Sequence, residues 1–239
     1  MPETEVAVEM SPRVRDRIGR TIELLRFEGP LMFARHALQK YASRLVTRLY
    51  VFELVLARAA SFDASAHPFP PGVTYRFFQG ENEIGPLIAI LAQARVPSED
   101  VEQRLARGDQ VFVAAAGDEL VCYSWTTFRE TWIAEAAVTI VPRDDELIRY
   151  DDRVMPRWRG QGLQNAMGVT INPHLAKLGY RRSLAWTDAL NIRVLKNQRR
   201  LGKRKVAEII RVPALGLVRV RNSSGDDGIT IEKRMPRTR

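Results

Sequence analysis

Val154-Met155-Pro156-Arg157-Trp158-Arg159-Gly160-Gln161-Gly162-Leu163 decides how this chain folds. Glu146–Met155 reads as a strand and Gly162–Leu178 carries helical spacing. The quoted residues therefore lead out of a strand, round a short turn and into a helix. Gly160 and Gly162 let the backbone approach a ligand without a Cβ in the way. The unpaired N–H groups of the first helical turn point at the same spot, and the helix dipole adds to them, which makes a phosphate site. Arg157 and Arg159 bring full positive charge. The stretch is not a P-loop, which needs Gly, four residues, then Gly-Lys-Ser/Thr. It is not the dinucleotide G-x-G-x-x-G pattern either.

Working outward, Val73–Phe78 reads as a strand, and Glu83–Ala94 and Ser98–Ala106 read as helices. Gln110–Ala116 and Leu120–Phe128 read as strands joined by the turn Ala116-Gly117-Asp118-Glu119. Residues 129–145 read as an irregular connection with a short strand at Ala137–Val141. Beyond the central helix come a strand at Ser183–Trp186, a helix at Asn191–Leu201, and strands at Val206–Val212, Leu217–Arg221 and Ile229–Lys233. The order β, α, α, β, β, β, α, β, α, β, β predicts a mixed α/β sheet, not a doubly wound one. Pro173 falls inside the central helix and is expected to kink its last turns.

The N-terminal 70 residues look different. Val14, Ile18, Ile22 and Leu25 step by four, four and three, which predicts an amphipathic helix. Glu28-Gly29-Pro30 stops it, and Leu31, Ala34, Leu38, Tyr41 and Leu45 mark a second helix. Residues 49–57 could continue that helix or form a strand. Pro68, Pro70, Pro71 and Gly72 make the best linker candidate. The expected organisation is a helical extension with linker over 1–70 and the main domain over 71–239. Residues 11–50 hold nine Lys/Arg against three Asp/Glu, so 13–45 could lie on an anionic membrane. The other reading is a helical lid with its basic face in water.

The 239 residues carry 37 Lys/Arg and 28 Asp/Glu, a net +9, which points to anionic partners. The 45% hydrophobic content is enough for a sizeable core and excludes wholesale disorder. Cys122 is the single cysteine, so an intrachain disulfide is ruled out and a reducing, cytoplasmic setting is expected. It sits in a strand-like stretch and reads as a core residue. His36, His67 and His174 show no metal-ligand or triad spacing, so no metal is expected. No run of 18 apolar residues predicts a membrane span.

The pattern Arg157, Gly160, Gly162 after Val154 and Pro156, at a strand-to-helix junction, resembles the GCN5-related N-acetyltransferase (GNAT) superfamily. A second landmark follows in register: a strand, then Asn191, then a helix ending at Leu201-Gly202-Lys203, where the family has Leu-Gly-Phe. The resemblance covers about 73–235. It implies a GNAT-like α/β fold: a mixed, mostly antiparallel sheet with helices on both faces, here with the N-terminal helical extension. It also implies acetyl-CoA or another acyl-CoA as co-substrate. Its pyrophosphate would sit on the backbone of Arg159, Gly160, Gln161, Gly162 and Leu163, with Arg157 close by. Its pantetheine arm would pair with the backbone near Arg153 and Val154, and Asn191 would bond or order that arm. Residues 153–211 hold 14 Lys/Arg and two Asp/Glu, a net of 14 − 2 = +12, which suits a ligand with three phosphates.

Acyl transfer to an amine needs a base and an oxyanion donor. Period-two alternation places Glu146, Tyr150 and Asp152 on one face of their strand, and Asp151 on the other. Glu146 or Asp152 would be the base, with Tyr150 as a substitute general acid; the other reading makes the carboxylates surface partners of Arg149 or Arg153. The family commonly places a general-acid tyrosine seven residues after the Asn, where this chain has Gln198. Tyr123, Trp125, Phe128 and Trp132 could line an acceptor or acyl pocket, or pack in the core. The function expected is N-acyl transfer, most simply acetyl transfer, to a small-molecule amine or amino sugar. The alternatives are a membrane-associated long-chain N-acyltransferase at the inner membrane face and a non-catalytic acyl-CoA-binding protein. No groove-reading or RNA motif accompanies the basic run 199–205, so no nucleic acid is expected. Self-association as a homodimer is left open.

Overall fold

The computed structural model describes residues 45–59, 65, 67–80, 83–223 and 229–235. The helices expected at 13–27 and 31–45, and with them the membrane-contact expectation, lie outside the described residues. Eleven strands and five α-helices are described: β1 (Thr47–Val55), α1 (Leu56–Ala59), β2 (Val73–Gln79), α2 (Ile84–Ala92), α3 (Ser98–Ala106), β3 (Gln110–Ala116), β4 (Glu119–Thr127), β5 (Thr131–Ile133), β6 (Val138–Val141), β7 (Glu146–Val154), α4 (Leu163–Lys177), β8 (Arg182–Asp188), α5 (Ile192–Arg200), β9 (Arg204–Val212), β10 (Leu217–Asn222) and β11 (Thr230–Glu232).

Eight strands form one sheet in the order β10-β9-β1-β8-β7-β4-β3-β2. All neighbours run antiparallel except β7 and β8. β5, β6 and β11 form a second, three-stranded sheet. The chain is thus mixed α/β with a mostly antiparallel sheet. On one face, Leu87 and Leu91 of α2 and Val101 and Leu105 of α3 pack against Val111, Val113, Tyr123 and Trp125. On the other, Leu163, Met167, Ile171 and Leu175 of α4 pack against Phe112, Ala114, Cys122 and Leu147. The alternation of β3 and β4 divides these two sets, as the period of a strand requires. A third cluster joins Leu49, Val51, Ile148, Leu184 and Ile209 to Ile133, Val138 and Ile140 of the small sheet.

Several placements differ from the sequence expectation. Residues 47–55, counted with the extension, are strand β1 and lie between β8 and β9. The buried run Val51, Phe52, Glu53 and Leu54 shows why: a strand flanked on both sides and covered on both faces needs no alternation. Val46–Arg239 form one compact unit, so the boundary expected at 70/71 cuts through that unit. Residues 131–133, expected to be irregular, form β5. Three residues are too few for a periodic signal. Helix α4 runs unbroken past Pro173.

Candidate active site

β7 and β8 pair only where Glu146, Leu147 and Ile148 face Arg182, Ser183 and Leu184. β8 then continues to Asp188 along β1, while β7 continues to Val154 along β4. Two parallel strands that start together and follow different neighbours open a wedge in the sheet. Along it the β8-facing backbone edge of β7 carries no strand partner past Ile148. Tyr123 pairs with Arg153 and Trp125 with Tyr150, so Ser124 faces both Asp151 and Asp152. That is a β-bulge, and Asp151 within it takes the left-handed conformation, with φ 50°.

The quoted turn follows at the end of β7. Residues 156–158 make a 3-10 turn, and Gly162 caps α4 in the left-handed region with φ 74°. Gly160 has φ 83°. A Cβ built on either glycine meets open space, so the floor of the turn is clear to receive a ligand. Gly162 O accepts from the N–H of Asn165 at 2.8 Å and of Ala166 at 3.2 Å. The preceding first-turn N–H groups have no intrahelical acceptor. Leu163 buries its side chain beneath α4, Gln161 is exposed, and Arg159 Nε donates to Val154 O at 3.3 Å. Arg157 is exposed, but its charge is partly engaged: it pairs with Glu119 at 3.1 Å, to which Trp158 Nε1 also donates. Arg153 turns its guanidinium to Ala94 O at 2.8 Å and pairs with Tyr123 of β4. Asn191 caps α5, its Oδ1 accepting from Val194 N–H at 3.3 Å.

The proposed bases fare unevenly. Glu146 is 1% exposed, held by Arg182 at 2.9 Å and by the Arg143 N–H at 3.0 Å. Arg182 also reaches Glu53. Glu146 therefore belongs to a buried ion network. The common face expected for Glu146, Tyr150 and Asp152 does not form past the bulge. The extra residue at 151 resets the alternation. Tyr150 donates to Asp109 at 2.5 Å and accepts from Arg107 at 3.2 Å. Asp151 pairs with Arg104 at 2.8 Å, and that guanidinium also covers the Tyr150 ring, so Tyr150 and Asp151 share a side. Asp152 instead accepts from Ser124 Oγ at 2.5 Å and pairs with the buried Arg149 at 3.1 Å. Burial, and then the Asp109 charge, push the Tyr150 phenol well above its usual value, so Tyr150 stays protonated at neutral pH.

Lys203, in the place of the family aromatic, belongs to the same charged group as Arg149 and Asp152. Burial first, then the Arg149 charge, lower its pKa to about 8, against the pull of Asp152. Gln198 is buried, and its Oε1 has no hydrogen-bond partner among the described residues. Cys122 is buried and its thiol is pushed up to about 12, chiefly by burial, which fits a core residue and not a nucleophile. Sequence reasoning passed over Asp109 and offered Arg149 only as a surface partner of the carboxylates, whereas it is buried. Both are buried charges, and only their partners mark them out.

On the α3 side of the sheet the wedge opens into a cleft of about 1190 Å³. Arg104 of α3, Arg107 just beyond its end, Phe128, Arg129, Trp132, Tyr150 and Trp186 line it. Two of the four aromatics offered by the sequence, Phe128 and Trp132, are here; Tyr123 and Trp125 are in the core. Among the described residues no helix is long and apolar enough to cross a membrane.

No protein-family model matches the chain, and no curated protein matches it. Solved structures do. A functionally unknown conserved protein from Staphylococcus epidermidis is 12% identical, with a TM-score of 0.44 over 70% of this chain and 62% of that one. A GCN5-related N-acetyltransferase from Kribbella flavida is 14% identical, with a TM-score of 0.45 over 75% of this chain and 59% of that one. An aminoglycoside acetyltransferase from an uncultured soil metagenomic sample, in complex with sisomicin, is 17% identical, with a TM-score of 0.41 over 54% and 87%. The chain spans about three fifths of the length of the first two.

Proposed function

We propose that the chain transfers an acyl group, most simply acetyl, from an acyl-CoA to the nitrogen of a small-molecule amine. One observation carries this reading: the wedge between β7 and β8 leads directly to a turn whose two left-handed glycines leave their Cβ positions clear. A long thioester arm fits the wedge, and a diphosphate fits the turn. In this reading the backbone N–H groups of Gly160, Gln161, Gly162 and Leu163 hold the pyrophosphate. Arg157 and Arg159 supply charge beside it. The free edge of β7 around Arg153 and Val154 pairs with the pantetheine amides, and Asn191 borders the arm.

The amine attacks the thioester carbonyl from the α3-side cleft. A C–N bond forms, the carbonyl oxygen takes the negative charge, and a β7 N–H beside the bulge donates to it. The C–S bond then breaks. The amine's surplus proton passes to Tyr150 Oη as the phenolic proton moves to Asp109, with water completing the exchange. Lys203 returns a proton to the departing thiolate, the task Gln198 cannot perform because an amide has no proton to give. Glu146 serves the fold, and Asp152 orients Arg149 and Lys203.

Calorimetry with acetyl-CoA tests the reading. Binding at micromolar concentration is expected in the wild type, with at least tenfold loss in the Gly160→Val, Gly162→Val double variant. No heat at high ligand excess, or equal affinity in both proteins, overturns it.

A further inference from the structure

Four arginines reach the α3-side cleft: Arg104, Arg107, Arg129 and Arg234. Three are engaged. Arg104 pairs with Asp151, Arg107 with Asp109, and Arg234 with Glu130 and Glu232. Arg129 is exposed at the turn between β4 and β5, and it has no ion-pair partner among the described residues. Together with Arg107 and Phe128 it also borders a second hollow of about 360 Å³. It thus stands on the ridge between two concave surfaces.

We propose that the acceptor amine carries an anionic group, a carboxylate or a phosphate, that Arg129 binds while the body of the molecule lies against Trp132 and Trp186. This rests on the acyl-transfer reading for the word acceptor, but the anion site stands on the cleft alone. A guanidinium offers paired N–H donors to either anion, and both sources satisfy the same chemistry. Trp186 spends its indole N–H on Glu135 at 3.3 Å, so its ring is held in place as a wall of the cleft. Trp132 is only partly buried on β5. Arg107 lies next to Arg129 in both hollows and favours negative charge there, although Asp109 already neutralises part of its own. The amine, repelled by the arginines, is directed toward the Tyr150–Asp109 pair, where the wedge delivers the thioester. A neutral amine would leave Arg129 without a counter-charge, so the cleft discriminates between acceptors by charge.

Matched probes test this on the full chain with coenzyme A present. Calorimetry compares glucosamine with glucosamine 6-phosphate, and phenylalaninamide with phenylalanine. In at least one pair the anionic member should bind at least tenfold more tightly, with an affinity that falls as salt rises. Arg129→Ala should erase that preference while leaving the neutral member unchanged, and Arg129→Lys should restore part of it. A preference in the first pair alone assigns phosphate; in the second alone, carboxylate. Equal binding within both pairs, an unchanged preference in Arg129→Ala, or no binding by any probe overturns the proposal. Coenzyme binding is read in the same cell: if it fails while the anion preference survives, the acyl-transfer reading falls and the anion site remains.

Discussion

Lys203→Met is expected to make the protein more stable at neutral pH. The lysine is placed where burial and Arg149 oppose its charge, with a pKa near 8 against an ordinary 10.5. Below about pH 8 the folded and unfolded chains both carry the proton, and the folded state bears the full cost of burying it. Between about 8 and 10.5 the unfolded chain still holds a proton that the folded chain has released, so stability rises with pH. Above about 10.5 both forms are neutral and the cost is gone. At about 1.4 kcal/mol per pH unit the gap corresponds to about 3 kcal/mol. Lys203 keeps some contact with water, which screens part of this, so a gain of about 1–2 kcal/mol is expected at pH 7. Methionine retains the length and apolar stem, and Asp152 keeps Arg149 and Ser124 as partners. Urea unfolding of both proteins from pH 7 to 10.5 measures the difference. It should be largest at pH 7 and shrink toward zero at the alkaline end. A variant less stable at pH 7, or a difference that does not change with pH, would refute the charge-burial argument.

Gly160→Ala and Gly162→Ala each force a Cβ into a left-handed conformation, costing about 1–2 kcal/mol, which thermal melts will register as a lower Tm. Tyr150→Phe removes the hydroxyl between Arg107 and Asp109; kcat should fall about tenfold to a hundredfold with the KM for acetyl-CoA unchanged, and a matching rise in that KM would contradict the role given to it. Glu146→Gln breaks a buried pair and should cost roughly 3 kcal/mol in urea unfolding, while the remaining folded protein keeps its kcat; a loss of kcat in fully folded protein would return Glu146 to the list of bases.

Much of the fold is legible in the sequence because its elements are bounded by strong local signals. Ser98–Ala106 begins on Val96-Pro97 and ends before Gly108, and the α3 limits match. The β3–β4 hairpin is written in Gly117-Asp118. The turn at Gly160 and Gly162 is legible for the same reason: positive φ is a property a residue type can announce. The side-chain site is not. Alternation along β7 misplaces Asp152 because a bulge is a pairing event with Ser124, which lies 28 residues earlier in the chain and is brought close only by folding. Glu146 looks like a base until Arg182 arrives from a different strand. Arg149, Asp109 and Lys203 matter through their neighbours, and neighbours come from tertiary contact. β1 stayed open between helix and strand since its apolar run suits both, and only its seat between β8 and β9 decides.

That seat has a consequence for how the molecule is made. β1 is translated well before its partners: Val55 meets Arg182, which is 182 − 55 = 127 positions later, and Thr47 meets Arg211, 211 − 47 = 164 positions later. An apolar segment emerges from the ribosome and must wait for the later strands β8 and β9 before it is covered. Such long closures slow folding and leave the nascent chain exposed to aggregation in the interval. Trimming the gene to begin near codon 70 would take a plank from the middle of the sheet, so expression of that shortened form should yield insoluble protein.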